Sequence, residues 1–266
     1  MAWSEHQAAM LAEMGIRVWQ PPTAAATPAE VATPSRAPAT AAPRDASVVA
    51  ISSVERSVGH SAEPLVELGT RPLHVETLGW PELREAVAGC TACKLCSDRK
   101  QTVFGIGNES AHWMIVGEAP GEQEDLKGEP FVGKSGQLLD NMLRAVGLTR
   151  GDAPPEQQVY IANTVKCRPP GNRNPEPAEL AQCEPFLIRQ IALVRPRIIL
   201  AMGRFAVQSL LRSTEPIGRL RGRVHQYQGV PLVVTYHPAY LLRNPEDKAR
   251  SWDDLCLARE ALLVQG

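Results

Sequence analysis

The sequence predicts an α/β fold of three layers, a four-stranded parallel sheet flanked by helices, with a disordered N-terminal extension ahead of it. Three observations carry this. Four short runs are rich in Val and Ile and do not alternate with polar residues: Trp113-Met114-Ile115-Val116-Gly117, Val159-Tyr160-Ile161-Ala162-Asn163, Arg197-Ile198-Ile199-Leu200-Ala201-Met202 and Pro231-Leu232-Val233-Val234-Thr235. Such runs suit strands covered by helices on both faces. Helical stretches at residues 136–146, 177–194 and 204–211 lie between them, and strand–helix–strand alternation implies parallel pairing through right-handed crossovers. Composition also shifts near residue 75. Residues 21–62 are rich in Pro, Ala, Thr and Ser, with too little apolar surface to bury a core.

In chain order, residues 1–20 form a short segment with apolar spacing, Met10-Leu11-Ala12-Glu13-Met14-Gly15-Ile16-Arg17-Val18-Trp19. It reads as a docking peptide on a tether, or as a chain end with incidental hydrophobics. Residues 21–75 read as the Pro/Ala-rich linker, residues 76–266 as the globular domain and residues 249–264 as its closing helix. The formal net charge over 266 residues is -1, so any nucleic-acid surface must be a local basic patch rather than a global field. No segment approaches the roughly 18 apolar residues of a membrane span. The N-terminus lacks the basic-then-apolar layout of a signal peptide. Cytoplasmic residence is the default expectation.

In that compartment cysteines serve as metal ligands or buried thiols more often than as disulfides. Cys90 and Cys93 form a CxxC pair, with Cys167 and Cys183 far downstream. Four thiolates suit a tetrahedral zinc or an iron–sulfur cubane, and spacing leaves both open. Cys96 extends the first group to five candidates for four places. A redox CxxC belongs at a strand-to-helix turn, which this context lacks. Cys256, alone on the closing helix, reads as a small buried hydrophobe.

Ligands of open α/β sheets bind beyond the carboxyl ends of the strands. Gly117-Glu118-Ala119-Pro120-Gly121 follows the first run, Asn163-Thr164-Val165-Lys166-Cys167 the second, and Tyr236-His237-Pro238-Ala239-Tyr240-Leu241-Leu242-Arg243 the fourth. Singly, each polar residue has an ordinary loop role. A carboxylate, an amide and an imidazole at one sheet edge together make a candidate site. Residues 128–135 also match the phosphate-loop pattern GxxxxGK[ST]. Such a loop should leave an apolar strand directly, whereas residues 122–127 are acidic and polar and Pro130-Phe131 crowd the loop. No GxGxxG follows the first run, which argues against a dinucleotide cofactor.

These motifs together resemble the iron–sulfur (family-four) uracil-DNA glycosylases. The residues that carry the resemblance are Cys90-x-x-Cys93, Val103-Phe104-Gly105-x-Gly107, Gly117 to Gly121, Pro130-Phe131-Val132-Gly133-Lys134-x-Gly136, Asn163-x-Val165-Lys166-Cys167-Arg168-Pro169-Pro170, Cys183 and His237 to Arg243. The match runs over about residues 85–263. The resemblance implies a [4Fe–4S] cluster on Cys90, Cys93, Cys167 and Cys183, with Cys96 spare. It implies a monomer acting on uracil in single- or double-stranded DNA, flipped into a pocket.

In that pocket Phe131 offers a stacking face, and Asn163 pairs with uracil O4 and N3–H but not with cytosine. The backbone of Gly117 to Ala119 completes the walls. His237 would hydrogen-bond O2 as the base departs. Glu118 would orient or activate the attacking water, or serve in sugar positioning alone. The cluster would hold the Cys167–Cys183 loop in place. Lys134, Lys166, Arg168 and Arg243 are candidate phosphate contacts, with Arg173 read as ordinary surface. Leu241 and Leu242 look like an apolar wedge, at least one of them partly exposed. The alternative is a non-catalytic DNA-binding or replisome adaptor on the same fold. Residues 10–19 would then contact a replication protein, since residues 14–19 loosely resemble a partner-binding peptide of a polymerase III subunit.

Overall fold

The computed structural model describes residues 69–264, with Glu13 alone ahead of them. The docking segment at residues 10–19, apart from Glu13, and nearly all of the linker at residues 21–75 lie outside the described residues.

Six strands form one mixed sheet in the order β1-β3-β2-β4-β6-β5. The four apolar runs are its centre: β2 (Trp113–Gly117), β3 (Val159–Asn163), β4 (Ile198–Met202) and β6 (Val230–Thr235). All four pair parallel, with Gly117 opposite Asn163 and Met202 opposite Thr235. The expected four-stranded parallel sheet is therefore the core of a larger one. β1 (Ile106–Gly107) pairs antiparallel with β3 and β5 (Val224–Tyr227) antiparallel with β6. Neither edge strand has a buried apolar run to announce it. β1 is two residues long and half-buried, and β5 alternates between exposed and half-buried. β5 joins β6 through Gln228-Gly229, both at positive φ, the conformation of a tight two-residue hairpin.

Side chains alternate across the strands, and this divides the core into two faces. Trp113, Ile115, Ile161 and Leu200 pack against α3 (Lys134–Ala145) and α8 (Lys248–Leu263). Met114, Val116, Tyr160 and Ile199 pack against α4 (Pro177–Val194) and α5 (Arg204–Leu211). This gives three layers. A smaller third cluster gathers Leu83 and Val87 of α1 (Trp80–Ala88) around Phe104, Phe186, Cys167 and Cys183.

The helices between the strands start and stop within about two residues of the sequence reading. Four described helices escaped it: α1, α2 (Glu122–Lys127), the acidic stretch after β2, and the short α6 (Ile217–Leu220) and α7 (Pro238–Leu241). Short 3-10 turns complete the described elements. No described helix is long and apolar enough to cross a membrane.

The chain leaves β2 for β3 on one side and then crosses to β4 on the other, so the strand order reverses between β2 and β4. A crevice opens beyond the carboxyl ends of the strands at such a reversal. It is here that Glu118, at the end of β2, meets the start of α5, at the end of β4.

Candidate functional site

A cleft of about 740 Å³ lies at that sheet edge, lined among others by Glu118, Ala119, Phe131, Asn163, His237 and Arg243. All six were singled out from sequence. Gly117 forms the wall behind them. A Cβ on it would overlap both the Asn163 amide oxygen and the Phe131 ring, so close backbone approach explains the glycine.

Glu118 is half-buried, and its Oε1 accepts a hydrogen bond from Phe205 N–H at 3.0 Å. That amide belongs to the N-terminus of α5, where free N–H groups favour an anion. Gly203, at φ 93, leaves room for the carboxylate that any Cβ would fill. Burial raises the Glu118 pKa above the ordinary carboxylate value, against the opposing pull of the Phe205 and Arg204 amides and the Arg204 charge.

Asn163 is buried, and its Oδ1 has no hydrogen-bond partner among the described residues. A buried acceptor without a partner is costly, and here it lines the cleft. His237 opens β6 into α7. Its Nδ1 accepts from Ala239 N–H at 3.1 Å, capping the short helix. The proton of the neutral ring therefore sits on Nε2. Burial, with the Arg243 charge adding to it, pushes the His237 pKa down to about 4. The ring stacks on Phe131 with centroids 5.3 Å apart and planes at 26°.

Phe131 holds an unusual backbone position, with φ 56. The loop around it is the phosphate-loop look-alike. It follows α2 rather than a strand. Glu124 of α2 fills its amides from within, Oε1 accepting from Val132 N–H at 3.0 Å and Gly133 N–H at 3.3 Å. Oε2 accepts from Gly121 N–H at 3.1 Å. The chain's own carboxylate thus occupies the amides that would cradle a phosphate.

The predicted cations divide. Arg243 is exposed and lines the cleft, and Lys134 is exposed beside cleft-lining Ser135. Arg168 is largely covered, its Nε donating to Asn172 Oδ1 at 2.8 Å. Arg173 is tied up by Glu179 through two hydrogen bonds. Lys166 is a correction, because it is 1% exposed. Its Nζ donates to Asn163 O at 2.8 Å and Gln190 Oε1 at 2.6 Å, so it braces the chain behind the pocket instead of facing a phosphate. Burial pulls its pKa down to about 8. Leu241 is a second correction: it lies fully buried in the core, while Leu242 is 44% exposed.

Cys90, Cys93, Cys167 and Cys183 all line one small cavity, and Cys96 does not. Arg99 donates to Cys167 Sγ at 3.1 Å, and Lys166 N–H to Cys183 Sγ at 3.3 Å. N–H groups aimed at sulfur are the surroundings that thiolate ligands take. Burial pushes the Cys167 thiol up to about 11 and the Cys183 thiol up to about 12. Near neutrality a bound cation would be needed to draw off those protons. Among the described residues, no three His, Cys, Asp or Glu side chains are gathered as for a single ion.

Sequence reasoning passed over Asn172 and the Gly203-Arg204-Phe205 turn, all of which reach the cleft. The turn was legible. It lies at the carboxyl end of the third apolar run, the one strand end given no motif. Asn172, at φ 54, left no comparable signal.

The profile of the uracil DNA glycosylase superfamily matches residues 104–256. A type-4 uracil-DNA glycosylase of Archaeoglobus fulgidus is 42% identical over 168 residues, 60% of this chain and 81% of the relative. One from Thermotoga maritima is 44% identical over 168 residues, 62% of this chain and 84% of the relative. A type-5 uracil-DNA glycosylase of Mycobacterium leprae is 32% identical over 195 residues, 60% of this chain and 84% of the relative.

Proposed function

The chain belongs to the uracil-DNA glycosylase superfamily, among the type-4 enzymes, and from that premise we propose that it hydrolyses the N-glycosidic bond of uracil in DNA and leaves an abasic site. The observation that carries the pocket assignment is Asn163 Oδ1, a buried acceptor with no partner among the described residues, in one cleft with a neutral imidazole and a stacking ring.

A base must leave the stack to reach such a cleft. Uracil stacked on Phe131 gives its N3–H to Asn163 Oδ1 and receives a hydrogen bond at O4 from the Asn163 amide nitrogen. Cytosine presents an acceptor at N3 and a donor at C4, so both contacts would fail, leaving buried polar groups unpaired. When C1′–N1 breaks, negative charge gathers on the departing base and cationic character on the sugar. His237 Nε2–H donates to O2 without needing protonation, since Nδ1 is engaged by Ala239. Glu118 lies across the same cleft. Its carboxylate orients the water, accepts the proton that the water sheds, and stabilises the cationic sugar. Arg243 and Lys134 face the phosphates, and Arg204, exposed on the cleft, joins them. Leu242 is the wedge that fills the gap in the stack.

The four cysteines fit a [4Fe–4S] cluster: four thiols share one cavity and two already receive N–H donors. Such a cluster supplies structure rather than chemistry at the base. It fastens the segment after Asn163 to α4 and to the CxxC loop. Purified wild-type protein is expected to carry the broad visible absorbance of iron–sulfur. Cys183→Ala should lose it and unfold at a lower temperature, and Cys96→Ser should keep it. A colourless wild type, or a Cys96 variant that loses the band, would overturn the ligand set.

Alkali-labile breaks in uracil-containing DNA test the activity itself. No breaks in either single- or double-stranded substrate would reject it.

A further inference from the structure

Two non-glycine residues of the cleft have left-handed backbone, Phe131 and Asn172, and asparagine tolerates that region far better than a bulky phenylalanine. Phe131, at φ 56, lies in a region that bulky L-residues avoid at a cost of order 1–3 kcal/mol. Strain of this kind persists only where the surroundings over-determine it. Downstream, Glu124 grips the amides of Val132 and Gly133. Gly136 leaves space for the Phe131 carbonyl, which a Cβ there would overlap. Upstream, the grip is a single side chain. Arg150 Nη1 donates to Pro130 O at 3.2 Å and to Phe131 O at 3.3 Å.

Arg150 is well placed for this. The chain beside it is bound to the sheet edge, because Thr149 N–H donates to Gln157 O and Val159 N–H to Thr149 O. Its Nε lies 2.6 Å from Asp140 Oδ1 on α3, an ion pair whose angle falls short of a hydrogen bond. The side chain is only 20% exposed. A guanidinium ion-paired at Nε and donating from Nη1 to two successive carbonyls can fix the two peptide planes that flank Phe131.

We propose that Arg150 is a positioning residue that sets the plane of the Phe131 ring and, through their stacking, the placement of His237. This rests on the uracil pocket assigned above. Arg150 does not touch the base. It holds the strained turn so that the ring meets Gly117 on one side and the imidazole on another. Misplacing a stacked base by about 1 Å can cost on the order of 100-fold in rate, so a positioning role has a measurable consequence.

The test is a double-mutant cycle on the full chain with its cysteine site loaded, reading kcat and KM for uracil excision. Arg150→Met is expected to lower kcat/KM about 10- to 100-fold, with the iron–sulfur absorbance unchanged. In a Phe131→Leu background the same change is expected to cost less than about twofold, because the group it acts through is gone. Arg150→Lys, which keeps a cation but cannot meet Asp140 from one nitrogen and both carbonyls from another, should recover folding but little activity. Losses that add independently across the cycle, or an Arg150→Met enzyme as fast as wild type, would overturn the proposal. A readout independent of uracil chemistry is amide hydrogen exchange at residues 131–133. In either Arg150 variant it should speed up about 10-fold or more while exchange in β2 and β4 stays the same. If the wild type released no uracil, the pocket assignment would fall, and exchange alone would decide the role of Arg150. Unchanged exchange would sink it.

Discussion

Replacing His237 by alanine is expected to lower kcat for uracil excision by about 10²- to 10³-fold, the usual loss when one donor to a developing oxyanion is removed. Two further expectations separate this from general damage. His237 also caps α7 through Nδ1, and losing a cap costs about 1 kcal/mol of stability. His237→Asn retains a side-chain cap acceptor, so it should recover most of that stability but little of the rate. Protonation is the other discriminator. The ring titrates at about 4 instead of 6.5 because it is buried and faces Arg243. A neutral Nε2–H donor is thus present throughout the neutral range, and the rate should show no inflection near pH 6.5. A rate that rose with imidazolium content on acidification through pH 6.5 would show a cationic donor and overturn this assignment.

Stability follows the same shift. Between about pH 4 and 6.5 the unfolded chain holds a proton on this residue that the folded chain does not. Stability therefore falls as pH drops through that window and loses nothing to this group above it. His237→Ala should remove that part of the slope, as urea melts across the window would report.

How much of this was legible follows from where the signals lie. The central strands are fully buried runs of Val, Ile and Leu, and no other local structure explains four such runs separated by helices. The edge strands carry no such run, since burial does not select their residues. The candidate site was read from strand ends, and the fold brings Glu118, Asn163 and His237 to one cleft. That reading missed Gly203 to Phe205, which were legible by position at the end of the third run but not by residue type, since a glycine and backbone amides carry no chemical label, although they hold Glu118 in place. Charge misled in the opposite direction. Lys166 looks like a phosphate contact in a basic stretch. Only the fold brings up Gln190, 24 residues on, which with the Asn163 carbonyl satisfies a buried ammonium that would otherwise be prohibitively costly. Leu241 and Leu242 are neighbours about 100° apart around a helical turn, and the fold turns Leu241 into the core and leaves Leu242 exposed. The sequence cannot say which turns inward. Cys90, Cys93, Cys167 and Cys183, grouped from the sequence by residue type alone, line one cavity in the fold.

Glu118→Gln carries the second large expected effect, a fall in kcat of about 10²- to 10⁴-fold with KM little changed. Glutamine keeps the length of the side chain and an oxygen to accept from Phe205 N–H, so the packing around Gly203 is preserved. What it removes is the negative charge and the basicity. If Glu118 only positions the sugar, the amide should serve nearly as well, with kcat near wild type and KM raised. That outcome would leave water activation without a base at this position. The pH profile gives an independent answer. Burial raises the Glu118 pKa above its ordinary 4.5, and the carboxylate is the form that accepts a proton and faces a cationic sugar. Activity should therefore fall on acidification through that raised value, and His237, titrating lower, should not define the limb. In Glu118→Gln the limb should vanish while the residual rate stays level. The raised pKa also brings the carboxylate nearer the working pH, where a base is most effective. The α5 amides pull against that rise, favouring the charged form. The same two features, desolvation and a helix N-terminus, thus set its basicity and its charge state together.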